Sequence, residues 1–420
     1  MRHVLALLVV ATVVHPIAAQ TASDSLRLTR RQAIVEALLR NAQLDIAREQ
    51  TAQARARRVQ AISIPDPLLT ASYDDQSRLF GFRGAGSKPV ELAMSVPFPD
   101  KFRLQNRIGN ADVHSSEANY RLLQQLIVSQ TSQDYDALLV ALRRRTDLRD
   151  ARDLAAGFLR VVQTRFDAGT VARLDVIRAQ TDLAQADNDL IANERDLANA
   201  QAALNHSLGR VIGAAIAPAD TLGVPDPLPD SSTIERIALA NRPELELLRH
   251  QQAGASATTS LAKEFWLPDL TLGTSRDYAV TGSYGYSTGV ALAFPLFYWQ
   301  HSRGEIAQDL HFERELDATY RDTRAQVVQD VRSAYANANT AMRQVVFLRD
   351  QLVPSAREAY RVASTSYALG GVSSFEVLDA RRTLLDAESQ LSDALAAANS
   401  ARADLERALG TSLTSLGVSK

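Results

Sequence analysis

YALGGVSSFEVLDARRTL, residues 367–384, repeats the pattern of FDAGTVARLDVIRAQTDL, residues 166–183, at an offset of 201 residues. Each stretch has an aromatic residue, a glycine three positions later, an acidic residue followed by valine, and then an alanine. Glycine tolerates the positive φ with which many helices end, so the chain can reverse there. An acidic residue is favoured where the returning helix begins, because the helix dipole is positive at its N-terminus. The pattern predicts two equivalent helical hairpins with tips near residues 169 and 370.

The same offset relates much of the remaining chain. Gly209 aligns with Gly410, and EALLRNAQL, starting at Glu36, aligns with IALANRPEL, starting at Ile237. Leucines at 183, 190, 204 and 208 recur at 384, 391, 405 and 409. This self-similarity indicates an internal duplication of about 200 residues. We therefore divide the chain into a signal peptide (1–19), a first repeat (20–217), a proline-rich linker (218–230), a second repeat (231–410) and a C-terminal tail (411–420).

The start of the chain, MRHVLALLVVATVVHPIAAQ, has the features of a secretory signal: two basic residues, an apolar run and a small-residue exit at Ala18 and Ala19. A membrane anchor is the alternative, but the run from Val4 to Val14 is shorter than the ~20 residues of a spanning helix. The sequence has no cysteine, which excludes disulfides, thiolate metal sites and an N-terminal lipid. The formal net charge of −2 does not favour nucleic acid as a partner. We expect an exported protein without a transmembrane helix.

A proline-free span from Asp100 to Ala217 is rich in helix-forming residues. A continuous helix from Asp100 to Arg165 would be on the order of 95 Å long at ~1.5 Å per residue, more than a globular core requires. The second repeat has the same design from His301 to Leu409, with Pro354 as the expected kink. Long paired helices are therefore predicted in both repeats.

Each repeat also contains two segments in which apolar residues alternate with small or polar ones. The predicted β-hairpins lie at about residues 66–98 and 268–297. Period-two alternation is typical of strands with one apolar face, and a length of about ten residues suits a membrane strand. Four aromatic residues flank the second hairpin, as an aromatic belt would: Trp266, Phe297, Tyr298 and Trp299. A soluble sheet with aromatic edges is the alternative interpretation.

Four strands are too few to close a membrane barrel, which needs about eight. An open sheet would leave unpaired backbone groups in lipid, at several kcal/mol each. Two chains would give eight strands around a filled interior, and three would give twelve around a passage. The faces opposite the apolar residues are Thr, Ser, Gly, Asp, Glu and Ala, which favours the wet passage and a homotrimer.

The chain resembles the TolC-type outer-membrane efflux factor family. SYALGGVSSFEVLDA, from Ser366, and RFDAGTVARLDVIRA, from Arg165, are similar to the family's two periplasmic tips. VPFPDKFRL, from Val96, resembles the strand-to-helix junction of the branch that serves metal-cation exporters. The resemblance implies a mixed α/β membrane protein. By this resemblance, two duplicated halves are expected to supply four membrane β-strands per chain to a trimeric twelve-stranded barrel, and long coiled-coil hairpins to form a periplasmic tunnel.

The resemblance also implies a function and partners. It implies a passive trimeric export duct for small molecules or metal cations in the outer membrane of a Gram-negative bacterium, in contact with outer-membrane lipid. The duct would be driven by an inner-membrane pump, RND-type in this expectation, through a periplasmic adaptor. Two alternatives stay open: the duct of a type I protein secretion system, and a membrane-anchored structural coiled-coil surface protein. An enzyme is not expected, because the seven histidines are scattered and no nucleophile motif occurs. Neither a cofactor nor a metal site is expected.

Candidate site residues follow from the resemblance. The pore constriction maps to Glu376 and Asp379, with Asp175 on the adjoining hairpin; a solvated helix face is the alternative for these acids. The tip clasp maps to Tyr367, and Arg173 is expected to replace the arginine that some members have where this chain has Val372. The turns expected to dock the adaptor comprise Gly169, Thr170, Val171, Gly370, Gly371 and Val372.

Overall fold

The computed structural model describes residues 26–74, 87–229, 231–278, 284–295 and 297–413. The predicted signal peptide and most of the predicted C-terminal tail lie outside these residues. The first repeat contains β1 (Leu26–Leu28), α1 (Arg30–Arg40), α2 (Ala42–Ala61), β2 (Leu68–Ala71), β3 (Val90–Val96), α3 (Pro99–Asp167), α4 (Arg173–Ser207) and β4 (Ile216–Pro218). The second contains α5 (Ser231–Asn241), α6 (Pro243–Lys263), β5 (Asp269–Tyr278), β6 (Tyr284–Ala293), α7 (Tyr298–Phe347), a π-helical segment (Leu348–Leu352), α8 (Val353–Ala368) and α9 (Ser374–Leu409).

The two repeats build equivalent hydrophobic cores. Leu44, Leu204 and Leu208 have no exposed surface in the first repeat, and the residues 201 positions later, Leu245, Leu405 and Leu409, are at most 1% exposed in the second. In each repeat a short helix pair (α1–α2 or α5–α6) therefore packs on the end of the returning long helix. The parallel pair of strands β1 and β4, which the sequence pattern did not predict, joins the beginning and end of the first repeat.

Long helices make up most of the molecule. The 69-residue helix α3 is continuous and about 104 Å long at ~1.5 Å per residue. It packs against α2 and α4 of its own repeat and against α6 and α9 of the second repeat. Helix α7 packs against α6 and α9, so α2 and α4 form one outer edge of the chain and α7 and α8 form the other. No helix among the described residues combines the length and the apolar character needed to cross a membrane.

A π-helical segment interrupts the second repeat where Pro354 predicted a kink. The Val353 N–H donates to the carbonyl of Leu348, five residues back instead of four. Proline has no N–H, and its ring crowds the carbonyl four residues before it, here Asp350, so a wider turn relieves the crowding. The first repeat has Asp153 at the equivalent position, and α3 continues through it as an α-helix.

A four-stranded antiparallel sheet brings the two repeats together in the order β2-β3-β5-β6. Its register places most of the large apolar residues of the strands on one face, which also includes Thr274 and Arg276, whereas Leu68 of β2 lies on the opposite face. The apolar residues of the first face are Leu69, Val90, Leu92, Met94, Val96, Leu270, Leu272, Val290 and Leu292. The opposite face has small and polar residues, among them Thr271, Gly273 and Ser275. Most of the apolar side chains are exposed, with Val290 at 68%. Strands β2 and β6 are the free edges.

The strands β2 and β3 are shorter than the predicted ten residues. Strand β2 has four residues and β3 has seven, whereas β5 and β6 have ten each. In the part of the hairpin that the structure describes, pairing past Ala71 consists of a hydrogen bond from the Ser72 N–H to the Pro89 carbonyl, 3.1 Å long, and an isolated bridge between Asp74 and Ser87. Pro89 lies between that bridge and β3, and because proline cannot donate a ladder hydrogen bond, the regular ladder ends there.

Candidate functional site at the helical tips

Two equivalent turns close the helical hairpins. Gly169 and Gly370 have φ values of 71° and 82°. In the first turn the Thr170 N–H donates to the carbonyl of Arg165 at 2.9 Å, and in the second the Gly371 N–H donates to that of Ser366 at 2.8 Å. These bonds, with those of the two positive-φ glycines, form Schellman motifs that satisfy the last helix carbonyls. The predicted tips near 169 and 370 are therefore built in the same way.

The predicted docking residues at these turns differ in exposure. Gly169, Thr170, Gly370 and Gly371 are exposed, whereas Val171 and Val372 are half-buried. Both valines pack against an apolar cluster, the tip cluster, whose buried members are Phe158, Val162, Val176, Ala179, Tyr367 and Val377. Large apolar side chains project beyond it, with Leu369 84% and Phe375 64% exposed. Val372 thus fills a packing position where some family members were expected to have an arginine.

Within the chain the arginine that engages Tyr367 is Arg165, and the clasp role expected for Arg173 stays a prediction. Tyr367 is 3% exposed and its ring lies 5.4 Å from that of Phe158. The Arg165 guanidinium lies 4.6 Å from the Tyr367 ring centroid and donates to the Tyr367 carbonyl. Burial raises the pKa of the Tyr367 phenol, although Arg165 opposes the rise. Arg173, the first residue of α4, is exposed.

Arg165 joins the two tips of one chain, which sequence reasoning missed. It lies in the last turn of α3, where a cation is favoured by the helix dipole. The one feature of the sequence that could have pointed to Arg165 is its position four residues before Gly169, at the end of the helix. A basic residue there can reach helix carbonyls, but nothing in the sequence showed that those carbonyls would belong to the other hairpin.

Asp175 also joins the tips. It is half-buried near the start of α4, and its carboxylate accepts a hydrogen bond from the Ser374 hydroxyl at the start of α9. Arg178 lies 4.0 Å from the same carboxylate. Asp175 therefore connects the two hairpins, which Glu376 and Asp379 of α9 do not.

Glu376 and Asp379 lie on the exposed surface of α9, one turn apart. The Glu376 carboxylate accepts the Ser373 N–H at 2.8 Å, and the Ser373 hydroxyl accepts the Glu376 N–H at 3.4 Å. This capping box fixes the beginning of α9. Asp379 lines a groove of 940 Å³ that runs over α3 between α4 and α9. Arginines and acids alternate along its walls, including Arg178, Arg382 and Asp386.

A buried ion pair at this groove was not predicted. Arg381 has only 4% of its side chain exposed and lies 2.7 Å from Asp182 of α4. Its guanidinium also donates to the carbonyl of Ala151 in α3 at 3.1 Å. Burial raises the pKa of the Asp182 carboxyl, and Arg381 opposes the rise. Arginine on a helix is usually solvated, so the sequence carried no signal for this contact of three helices.

The aromatic residues predicted for a belt lie at one end of the sheet. Trp266 follows α6, and Phe297, Tyr298 and Trp299 begin α7. The four side chains are between 41% and 62% exposed, and the Trp299 ring lies 5.7 Å from that of Phe297 and 5.9 Å from that of Tyr298. Among the described residues, no group of three or more histidine, cysteine, aspartate or glutamate side chains is arranged to hold a metal ion.

Comparisons with known proteins match this architecture along its length. The sequence model of the family described as outer membrane efflux protein matches residues 18–210 and 236–411. The cobalt-zinc-cadmium resistance protein CzcC of Cupriavidus metallidurans is 23% identical, over 91% of this chain and 90% of its own. The pyoverdine export outer membrane protein OpmQ of Pseudomonas aeruginosa is 24% identical, over 87% of this chain and 81% of its own.

The fold agrees with solved channels. A crystal structure of CusC superimposes with a TM-score of 0.78 at 19% identity, over 94% of this chain and 96% of that one. The chain therefore belongs to the outer membrane efflux protein family. It is an outer-membrane channel protein of the TolC type, and its long helical hairpins extend into the periplasm.

Proposed function

We propose that three copies of this chain form a passive export channel for metal cations or small molecules, with a periplasmic adaptor and an RND-type inner-membrane pump. The observation that carries the proposal is the open sheet with its largely apolar, mostly exposed face. Such a face suits lipid, but the free backbone groups of β2 and β6 do not. Pairing β6 of one copy with β2 of the next satisfies both edges, and three copies give twelve strands around a polar interior.

The tips supply the docking surface for the adaptor. Leu369 and Phe375 project apolar surface at the end of the molecule remote from the sheet. Exposed apolar surface of this kind marks an interaction site. In the trimer six similar turns surround one opening, and the adaptor's own helical ends contact them.

The exposed acids of α9 supply the constriction. Threefold symmetry places three copies of Glu376 and three of Asp379 around the axis. Carboxylate rings concentrate cations and provide the oxygen ligands that hard ions prefer. Asp175, held by Ser374, positions the first hairpin beside this ring.

The names of the two relatives that align over most of the chain, CzcC and OpmQ, support metal cations or small molecules as the exported substrate. CzcC is described by cobalt, zinc and cadmium resistance, and OpmQ by pyoverdine export. Both align over at least 80% of their own length, so neither match is confined to one segment.

The test combines mass and resistance. Purified protein in detergent is expected to have three times the mass of the mature chain by light scattering corrected for detergent. A strain lacking the gene is expected to become sensitive to divalent cobalt, zinc or cadmium, and to recover when the gene is restored. A monomeric mass would contradict the shared barrel. Unchanged sensitivity to all three metals would contradict metal export and would favour small organic molecules as the substrate.

A further inference from the structure

We infer that the end of the sheet remote from the helices binds a lipid with a phosphorylated headgroup in the outer leaflet of the outer membrane. The residues that form this surface, the outer rim cluster, are Tyr73, Lys88, Arg276, Tyr278 and Tyr286. The inference rests on the proposed barrel, in which the apolar face of the sheet contacts lipid, and it adds the class of lipid that this face selects.

Three members of the cluster lie on the apolar face of β5 and β6. Arg276 lies opposite Val90 of β3 and Tyr286 of β6, and Tyr278 lies two residues further along β5, on the same face. The guanidinium carbon of Arg276 is 4.6 Å from the Tyr278 ring centroid and 5.3 Å from that of Tyr286. Tyr286 is 72% exposed. The two rings therefore flank a cation on the face that is expected to contact lipid.

Tyr73 and Lys88 extend the same face across β2 and β3. The bridge between Asp74 and Ser87 keeps the register of the β2–β3 pair, so Tyr73 lies opposite Lys88. Lys88 lies two residues before Val90 and therefore on the apolar face. Its amine is 6.0 Å from the Tyr73 ring centroid. Two cations, each beside a tyrosine ring, thus share one end of one face.

The carboxylates at this end of the sheet project from the other face. Asp74, Glu91 and Asp277 each come directly after a residue of the apolar face, and side chains alternate along a strand. The Ser87 hydroxyl donates to Asp277 there at 2.6 Å. Among the described residues at this end, the apolar face therefore has two cations and no carboxylate. Solvated surfaces usually mix both signs, whereas one sign on a lipid-facing surface suits an anionic headgroup.

The length of the strands places the cluster at the level of the outer headgroups. Strand β5 has ten residues and is about 30 Å long at ~3.3 Å per residue. At a tilt of about 40° it covers roughly 23 Å of the membrane normal, close to the ~25 Å apolar band of membrane barrels. The belt of Trp266 and Phe297 to Trp299 lies at the helical end of the sheet. With that belt at the periplasmic interface, the outer rim cluster reaches the opposite one.

The chemistry of the cluster favours phosphate on a lipid. A guanidinium binds phosphate through two parallel hydrogen bonds, and a lysine amine adds a point charge. Tyrosines supply hydroxyl donors, and their rings are favoured at the level of lipid headgroups. Below the cluster, Leu272 and Val290 of the same face are 41% and 68% exposed and provide apolar surface for acyl chains. A free phosphate ion would use the cations alone, so the adjoining apolar surface favours a lipid.

Native mass spectrometry of the purified protein, titrated with lipid in detergent, tests this site. The probes are diphosphoryl lipid A, monophosphoryl lipid A with the same acyl chains, and phosphatidylglycerol. Wild type is expected to bind the diphosphoryl form about tenfold more tightly than the monophosphoryl form, because one charge-assisted hydrogen bond contributes about that factor. Phosphatidylglycerol is expected to bind more weakly than either. Excess inorganic phosphate is expected to leave the diphosphoryl lipid bound.

Variants assign the preference to the cluster. Lys88→Gln/Arg276→Gln is expected to bind the two forms of lipid A equally. Lys88→Arg/Arg276→Lys keeps both charges and is expected to keep most of the preference. The matched control is Arg103→Gln/Lys263→Gln, which removes one exposed arginine and one exposed lysine at the helical end of the sheet and is expected to behave as wild type.

The outcomes separate the lipid site from the proposed channel. Trimeric, conducting wild-type protein that binds both forms of lipid A equally would overturn the site and leave the channel standing. Preference retained by Lys88→Gln/Arg276→Gln, or lost equally in the helical-end control, would also overturn it. Displacement of the lipid by inorganic phosphate would assign a free ion in place of a lipid. A monomeric mass would contradict the barrel itself. If the glutamine variant does not assemble, a preference lost in the assembled Lys88→Arg/Arg276→Lys variant overturns the site, and one kept there supports it.

Discussion

At the scale of single residues, the two tips are held together by contacts between residues that are 202 and 199 positions apart in the sequence. Arg165 reaches the ring and carbonyl of Tyr367, and Asp175 accepts from Ser374. Each contact links the first hairpin to the second. The tip of one chain is therefore a single unit whose shape depends on a few polar contacts around an apolar cluster.

Arg165→Ala is expected to loosen this unit. The change removes a cation–π contact and a charged cap, which together are worth about 1–3 kcal/mol. The apolar cluster remains, so assembly should persist while the tip opens more often. Single-channel recording should show higher conductance or more frequent openings than wild type. Arg160→Ala, an exposed arginine of the same helix, is the matched control and should leave conductance unchanged. Equal conductance and opening frequency in the two variants would show that Arg165 does not help to hold the tip closed.

The buried pair of Arg381 and Asp182 gives a prediction about stability. Arg381→Met leaves the half-buried carboxylate of Asp182 without its partner, at a cost of about 1–3 kcal/mol. The double variant Arg381→Met/Asp182→Leu removes both charges and is expected to recover most of that loss. Unfolding of the detergent-solubilised protein by heat or denaturant measures the difference. If the loss of unfolding free energy in the double variant equals the sum of the losses in the two single variants, the two residues do not interact.

Asp136 of α3 gives a prediction about pH. Burial raises the pKa of its carboxyl from 3.8 to about 6, although Arg30 opposes the rise. Because the folded state holds the proton more tightly, this group stabilises the fold below about pH 4. That contribution is lost as the pH rises to about 6, and amounts to on the order of 3 kcal/mol. Asp220 lies beside this pair, where its carboxylate accepts the Arg30 N–H at 2.7 Å and the Tyr135 hydroxyl at 3.0 Å, and its charge also raises the pKa of Asp136.

The variant Asp136→Asn isolates that effect. Its unfolding midpoint is expected to vary less between pH 4 and pH 6 than that of wild type, and the two curves are expected to run parallel above pH 7. Thermal unfolding at a series of pH values is the measurement. Parallel curves over the whole range would mean that Asp136 does not titrate there.

At the scale of elements, glycines and prolines explain where helices and strands end. Gly370 adopts a φ of 82°, whereas Gly371 does not have positive φ. A Cβ at Gly370 would meet only the Arg165 guanidinium at 3.6 Å, so backbone conformation and not space excludes other residues. Pro354 and Pro89 act through their missing N–H groups, at the π-helical segment and at the end of the β2–β3 ladder.

Gly370→Val is therefore expected to strain the second tip. A β-branched residue at positive φ costs about 1–3 kcal/mol, and the helix end must change to relieve it. Export should be lost, because the docking turn changes, while insertion and trimer formation persist. Gly157→Ala is the control, since Gly157 lies within α3 away from the tips, has no positive φ, and a Cβ there would meet nothing within 4 Å. The measurements are the metal resistance of cells that produce each variant and the amount of each variant found as a trimer in the outer membrane. Normal resistance with Gly370→Val would exclude a role for this turn in docking.

At the scale of the whole molecule, the 201-residue offset carried most of what could be predicted. It located both tips and the repeated leucines of the two cores, because a duplication shows the same pattern twice in one sequence. Period-two alternation, and not the offset, located the two β-hairpins. The partners of Arg165 and Arg381 could not be predicted in this way. They lie on helices far apart in the chain, and periodicity shows which face a residue occupies but not which helix packs there. The strands β1 and β4 were missed because three residues are too few to establish a period.

The central claim is that copies of this chain surround a water-filled passage with an acidic constriction. Single-channel recording of the purified protein in a planar bilayer tests it most directly. We expect stable conductance steps with a preference for cations, and block when a polyvalent cation is added to the periplasmic side. The double variant Glu376→Gln/Asp379→Asn should conduct with weaker selectivity and little block. Inserted protein without conductance, or block and selectivity identical in both proteins, would contradict the account.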